Sequence, residues 1–153
     1  METNLRTERG EGETTATYLN RLKEMGFLFH GSSNDNIEQL EPRYAYDRYN
    51  EVNTDTAVFA TDNVTLTVIF GVYGGHKGWS THTKKGQVFA KIPLRDKELL
   101  ENTRGTVYVL PKKVFEKIEG TVQYKSHETV KPVTKVSVSL NDYYDLGGKI
   151  EWS

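Results

Sequence analysis

The sequence predicts an α+β domain built on a mainly antiparallel, split β-sheet with flanking helices. Two observations carry that prediction. Helical periodicity is concentrated early in the chain, and the later half is a succession of β-branched, alternating runs joined by short links. A third observation is local: "FLFHGSS" and "AVFAT" are apolar runs that each end in small polar residues. Strands that feed a site end in that way.

The 153 residues suit one domain, expected over 14–153, with residues 1–13 as a flexible tail because they are polar and poor in apolar anchors. From Thr14 to Met25, the residues Tyr18, Leu19, Leu22 and Met25 fall at helical spacing, and Gly26 supplies a stop. "FLFHG" then reads as a short buried strand. "NDNIEQLEPR" suits a helical turn or an edge segment around Ile37 and Leu40, and "YAYDRYNEVNTD" reads as a polar loop.

"TAVFAT" reads as a second buried strand, followed by a helix over "NVTLTVIFGVY" capped by Thr61 or Asp62. The glycine-rich, basic "GGHKGWSTHTKKG" is expected as a loop that is mobile without ligand. Its Trp79 is a candidate cover for a base or ring. "QVFAKIPL", "GTVYVLP", "GTVQYKS" and "TKVSVSL" are strands by alternation, with a helical turn in "PKKVFEKI" and an edge strand in "GGKIEWS".

Composition narrows the chemistry. There is no cysteine, which removes thiolate nucleophiles and the common structural zinc sites. Twenty basic residues nearly balance twenty-one acidic ones, which argues against a dedicated nonspecific nucleic-acid binder. No apolar run approaches the roughly twenty residues that cross a bilayer, and no apolar leader opens the chain. The expectation is a cytoplasmic protein without membrane contact. His76 and His82 lie among Lys77, Lys84 and Lys85 without a nearby acid, so no metal is expected there.

His30 raises the sharpest question, because a buried strand rarely ends on an imidazole. A core histidine donating to a backbone carbonyl is the plain reading. Gly31 and Ser32 directly after it favour a nucleotide pocket, through close backbone approach and an added hydroxyl. No triad signature surrounds Ser32, Ser33 or Ser126, and no glycine run precedes a helix as a phosphate loop would.

The order "FLFHGSS", "AVFATDNVTLTVIF", "VYVLP", "SHETVKP" resembles the ADP-ribosyltransferase superfamily over roughly Phe27 to Leu140. The branch in question is written histidine, tyrosine, glutamate, and it includes the poly(ADP-ribose) polymerases and diphtheria-type toxins. The resemblance implies transfer of ADP-ribose from NAD to a macromolecular acceptor, a protein in preference to a nucleic acid, without metal. It implies that His30 meets a ribose hydroxyl, that Gly31 and Ser32 meet nicotinamide, and that Glu128 is the catalytic carboxylate with His30 beside it. Phe59, Thr61, Phe70 and Trp79 are the further NAD contacts expected. Val58 stands where the family has its tyrosine, and Ser126 where an acceptor-activating residue often lies. The alternatives are a non-catalytic nucleotide- or protein-binding module on the same fold, and an RNA 2′-phosphotransferase.

Overall fold

A computed structural model describes residues 7–45 and 55–153. The first six residues of the expected tail and positions 46–54 of the expected polar loop lie outside the described residues. Residues 7–13 turn back on the first helix, where the Glu13 carboxylate accepts from Arg21 at 2.8 Å and from the Gly10 N–H at 2.8 Å.

Helix α1 spans Thr15–Glu24, and its N-cap Thr14 accepts from the Thr17 N–H. Leu19 and Leu22 are fully buried on its inner face, each burial contributing about 1.5–3 kcal/mol. Strand β1 (Leu28–Ser32) follows, then β2 (Arg43–Ala45) and β3 (Asp55–Thr61). The ends of the expected polar loop are therefore strand, since β2 pairs with β3 through Tyr44↔Thr56. The segment around Ile37 and Leu40 forms no helical turn; Leu40 makes an isolated bridge to Val130.

Helix α2 (Val64–Tyr73) is capped by Asn63, whose Oδ1 accepts from Leu66, and not by Thr61 or Asp62. Its β-branched content is tolerated because it is buried nearly all round; Phe70 is the residue it leaves open. The second half of the basic segment after it is strand rather than loop, while residues 74–79 are turn and bend. β4 (Ser80–Lys84) pairs antiparallel with β5 (Gln87–Ile92) across Lys85 and Gly86. Both turn residues have positive φ, 53° and 79°, the geometry of a tight two-residue hairpin.

The short helix α3 (Lys97–Glu101) precedes β6 (Arg104–Leu110). β7 (Glu116–Lys117), β8 (Gln123–Ser126) and β9 (Thr134–Ser139) complete the strand-rich half. Helix α4 (Leu140–Asp145), opened by a Ser139–Asp142 capping box, and β10 (Lys149–Trp152) end the chain.

The strands form two sheets. The larger is seven-stranded and wholly antiparallel, ordered β7-β8-β3-β1-β6-β9, with β2 on β3. The smaller is ordered β10-β5-β4, with β10 an edge strand parallel to β5. Helix α2 packs on β1, β6 and β9 of the first and on β5 of the second. One core cluster gathers Phe29, Val107 and Val109 with α1, α2, α4 and β5. A second, on the opposite face of the large sheet, holds Leu28, Val58, Ala60, Tyr108, Leu110 and Tyr124. β1 and β6 are thus buried on both faces, as their unbroken apolar runs require. Among the described residues, no helix is long and apolar enough to cross a membrane.

Candidate functional site

β1 and β3 are neighbours in the large sheet, joined at Phe29↔Thr61. Beyond that pair they diverge, and the His30 ring fills the start of the gap, its Nδ1 3.0 Å from the Phe59 carbonyl oxygen. A carbonyl only accepts, so Nδ1 carries the proton. In the neutral ring, Nε2 is then an acceptor. Burial pushes His30 below its ordinary value of 6.5; the Phe59 contact opposes that and the charge of Arg43 adds to it. A neutral imidazole at this place suits accepting a hydrogen bond from a hydroxyl, not pairing with an anion.

Cavities open on both sides of this contact. On the α2 side lies one of about 180 Å³, walled by Gly31, Thr61, Thr67, Phe70 and Gln123. On the other side lies one of about 330 Å³, whose walls include Ser32, Ile37, Arg43, Tyr44 and Val58. His30 and Phe59 line both. The larger alone reaches the lower end of the roughly 300–1,000 Å³ range of small-molecule sites.

The structure brings His30, Gly31, Phe59, Thr61 and Phe70 together at the smaller cavity. Several of the expected contact residues also have a place in the fold itself. Gly31 is glycine because α2 crosses it: a Cβ there would stand 2.3 Å from the Thr67 carbonyl oxygen. The Thr61 hydroxyl is committed, donating to the Val122 carbonyl at 2.8 Å and accepting from the Asn63 N–H. Ser32 faces the larger cavity, and its Oγ accepts from Asn34 in the turn after β1. Val58 is core, 4% exposed.

Trp79 covers neither cavity. It stands 5.0 Å from the Phe70 ring and 5.2 Å from Tyr73, its Nε1–H donating to the His76 carbonyl. It buttresses Phe70, which is 42% exposed at the cavity mouth.

Glu128 lies elsewhere. It follows the end of β8 instead of opening a strand, is exposed, and lines neither cavity. Its N–H is bound by Ser126 Oγ at 3.2 Å. Next to it, His127 Nε2 sits 2.6 Å from Asp55 Oδ2, which Lys125 also reaches at 3.1 Å. The His127 and Lys125 contacts hold the Asp55 carboxyl down at about 2. This charged cluster ties the start of β3 to the end of β8.

Sequence reading missed three residues of the site. Gln123 enters the smaller cavity from the first position of β8, and Arg43 enters the larger from β2. Tyr108, fully buried on β6, donates to the Asn34 carbonyl at 2.5 Å and accepts from the Ile37 N–H at 3.0 Å. It thereby fixes the turn that borders the larger cavity. The alternation in "GTVQYKS", with Tyr124 inward on one face, was the available signal for Gln123. No group of side chains placed to hold a metal occurs among the described residues. No family model matches the chain, and neither a curated protein nor a solved structure matches it.

Proposed function

We propose that the domain binds NAD across the gap between β1 and β3 and transfers ADP-ribose from it to a macromolecular acceptor. A protein acceptor is favoured over a nucleic acid by the balanced charge of the chain. The observation that carries this reading is the pair of cavities meeting at His30 and Phe59. Nicotinamide would occupy the smaller against Phe70, and His30 Nε2 would accept from a ribose hydroxyl. The diphosphate would run into the larger, toward the Arg43 guanidinium. In transfer, the bond from ribose C1′ to the nicotinamide nitrogen breaks and its electron pair leaves with nitrogen. The acceptor atom bonds C1′ and loses its proton.

A second reading is a module of the same type that holds the nucleotide without turning it over. It is favoured by Glu128 lying outside both cavities and by Val58 bringing no hydroxyl to the wall of the larger one. An RNA 2′-phosphotransferase draws less support, since Arg43 is the only Lys or Arg among the described lining residues of these cavities.

The test uses NAD labelled in its nicotinamide, with cell extract as the source of acceptors. Saturable binding that falls at least about tenfold in His30→Ala supports the site, and labelled nicotinamide released into solution supports transfer. Binding without release selects the module. No His30-dependent binding sinks the NAD reading altogether.

A further inference from the structure

We infer that Gln123 is the side chain facing the bond to nicotinamide, and that its uncharged amide sets whether bound NAD is held or cleaved. The inference rests on the NAD reading above. Gln123 pairs with Thr61 in the β3–β8 register. Its neighbour Tyr124 packs into the cluster of Leu28, Val58 and Tyr108, so alternation sends Gln123 to the opposite face, where α2 lies. Its backbone is held on both sides: its N–H donates to Thr121 Oγ1 at 3.0 Å, and its carbonyl accepts from the Ile118 N–H at 2.9 Å. The side chain therefore projects into the cavity from a fixed base.

Elimination narrows the ligand-facing groups. Thr61 donates to Val122, Thr67 donates to the Asn63 carbonyl at 2.8 Å, and His30 Nδ1 is taken by Phe59. Of the polar side chains on this wall, the Gln123 amide is the one without a hydrogen-bond partner among the described residues. The described lining of this cavity contains no carboxylate. Breaking the C1′–nitrogen bond moves positive charge onto the ribose ring, and a fixed carboxylate stabilises that charge where an amide offers only a dipole. Gln123 thus has the reach of a catalytic carboxylate without its charge. Its amide instead matches the carboxamide of nicotinamide, donor to acceptor and acceptor to donor.

Gln123→Glu is nearly isosteric and supplies that charge. With NAD and water as acceptor, the pair in the C1′–nitrogen bond leaves on nicotinamide, water oxygen bonds C1′, and its proton passes to solvent. Nicotinamide release should rise roughly tenfold to a hundredfold over the parent, with NAD affinity changing less than turnover. Gln123→Ala should show no such rise and should weaken NAD binding roughly threefold to tenfold, because the amide contact is lost. Circular dichroism confirms that both variants fold. If Gln123→Glu binds NAD and releases no more nicotinamide than the parent, the role given to Gln123 is wrong while the NAD site stands. Unchanged affinity in Gln123→Ala overturns it equally. Failure of the parent to bind NAD through His30 removes both readings.

Discussion

A Cβ placed on Gly31 would stand 2.8 Å from the backbone nitrogen of Gly71, so the strand carrying the candidate site touches α2 backbone to backbone. Gly105 on β6 continues the contact, its added Cβ falling 2.2 Å from the Gly71 carbonyl oxygen. These glycines set the depth at which α2 lies on the sheet, and hence the width of the cavity below Phe70. A helix standing further out would widen that cavity and draw Phe70 away from His30.

Gly31→Ala should therefore destabilise the fold, because the atoms in the way are backbone and only a shift of α2 relieves them. The expected loss is about 1–3 kcal/mol or more, read from urea unfolding. Gly71→Ala should cost less. Its Cβ would meet the Thr106 carbonyl oxygen at 3.1 Å, and the helix gains roughly 1 kcal/mol of propensity from alanine. If the two variants lose equal stability, backbone contact does not set the helix depth.

Tyr108→Phe tests the support of the larger cavity. The substitution keeps the ring in its cluster and strips the partner from the Asn34 carbonyl and the Ile37 N–H. Leaving those groups unpaired costs about 1–3 kcal/mol. The turn carrying Ser32 and Asn34 should loosen, seen as faster amide exchange at Ile37, and NAD binding should weaken with it. Stability loss without faster exchange there would mark Tyr108 as a packing residue only.

Which parts of this were legible in the sequence follows from how local each signal was. The two apolar strands and His30 were legible because their runs are short, unbroken and bounded by polar residues. The hairpin through Lys85 and Gly86 was hidden by its glycines and lysines, which read as loop although positive φ is what a tight hairpin needs. Helices α3 and α4 are too short to show periodicity. Gln123 and Glu128 could be told apart only by register, for β8 ends at Ser126 and carries Gln123 to Thr61. Gly71 and Gly105 show their purpose only once helix and strand are laid across each other.

The state of His30 predicts a pH dependence. Burial lowers its proton affinity in the folded chain below the ordinary 6.5. A base whose folded value is depressed adds stability above its unfolded value, and that stability is lost as pH falls below 6.5 toward the folded value. NAD binding should fall over the same acid range, since protonated Nε2 no longer accepts from a hydroxyl. His30→Gln, which keeps a neutral polar group, should flatten both profiles between neutral pH and the acid limb. A profile that is unchanged in His30→Gln assigns the dependence to another group.

Glu128→Gln tests whether Glu128 serves as the carboxylate of the proposed transfer. The family resemblance requires a hundredfold fall in turnover, roughly the cost of losing a charge that acts only in the transition state. The geometry points the other way. From Gln123 to Ser126, β8 advances about 10 Å at roughly 3.3 Å per residue, away from the Thr61 end of β3 where the cavity lies. Glu128 is two residues further on, exposed, with its N–H turned back to Ser126. Its neighbour His127 is tied to Asp55 and anchors that end of the strand. Glu128→Gln should thus behave as a surface substitution, changing nicotinamide release by less than about twofold and stability by less than about 0.5 kcal/mol. Release is measured on the parent, on Glu128→Gln and on a double variant that also carries Gln123→Glu. The double variant should match Gln123→Glu alone, because residues this far apart act independently. A hundredfold fall in Glu128→Gln would return the catalytic carboxylate to Glu128, and would mean that the segment after β8 closes over the cavity when NAD is bound.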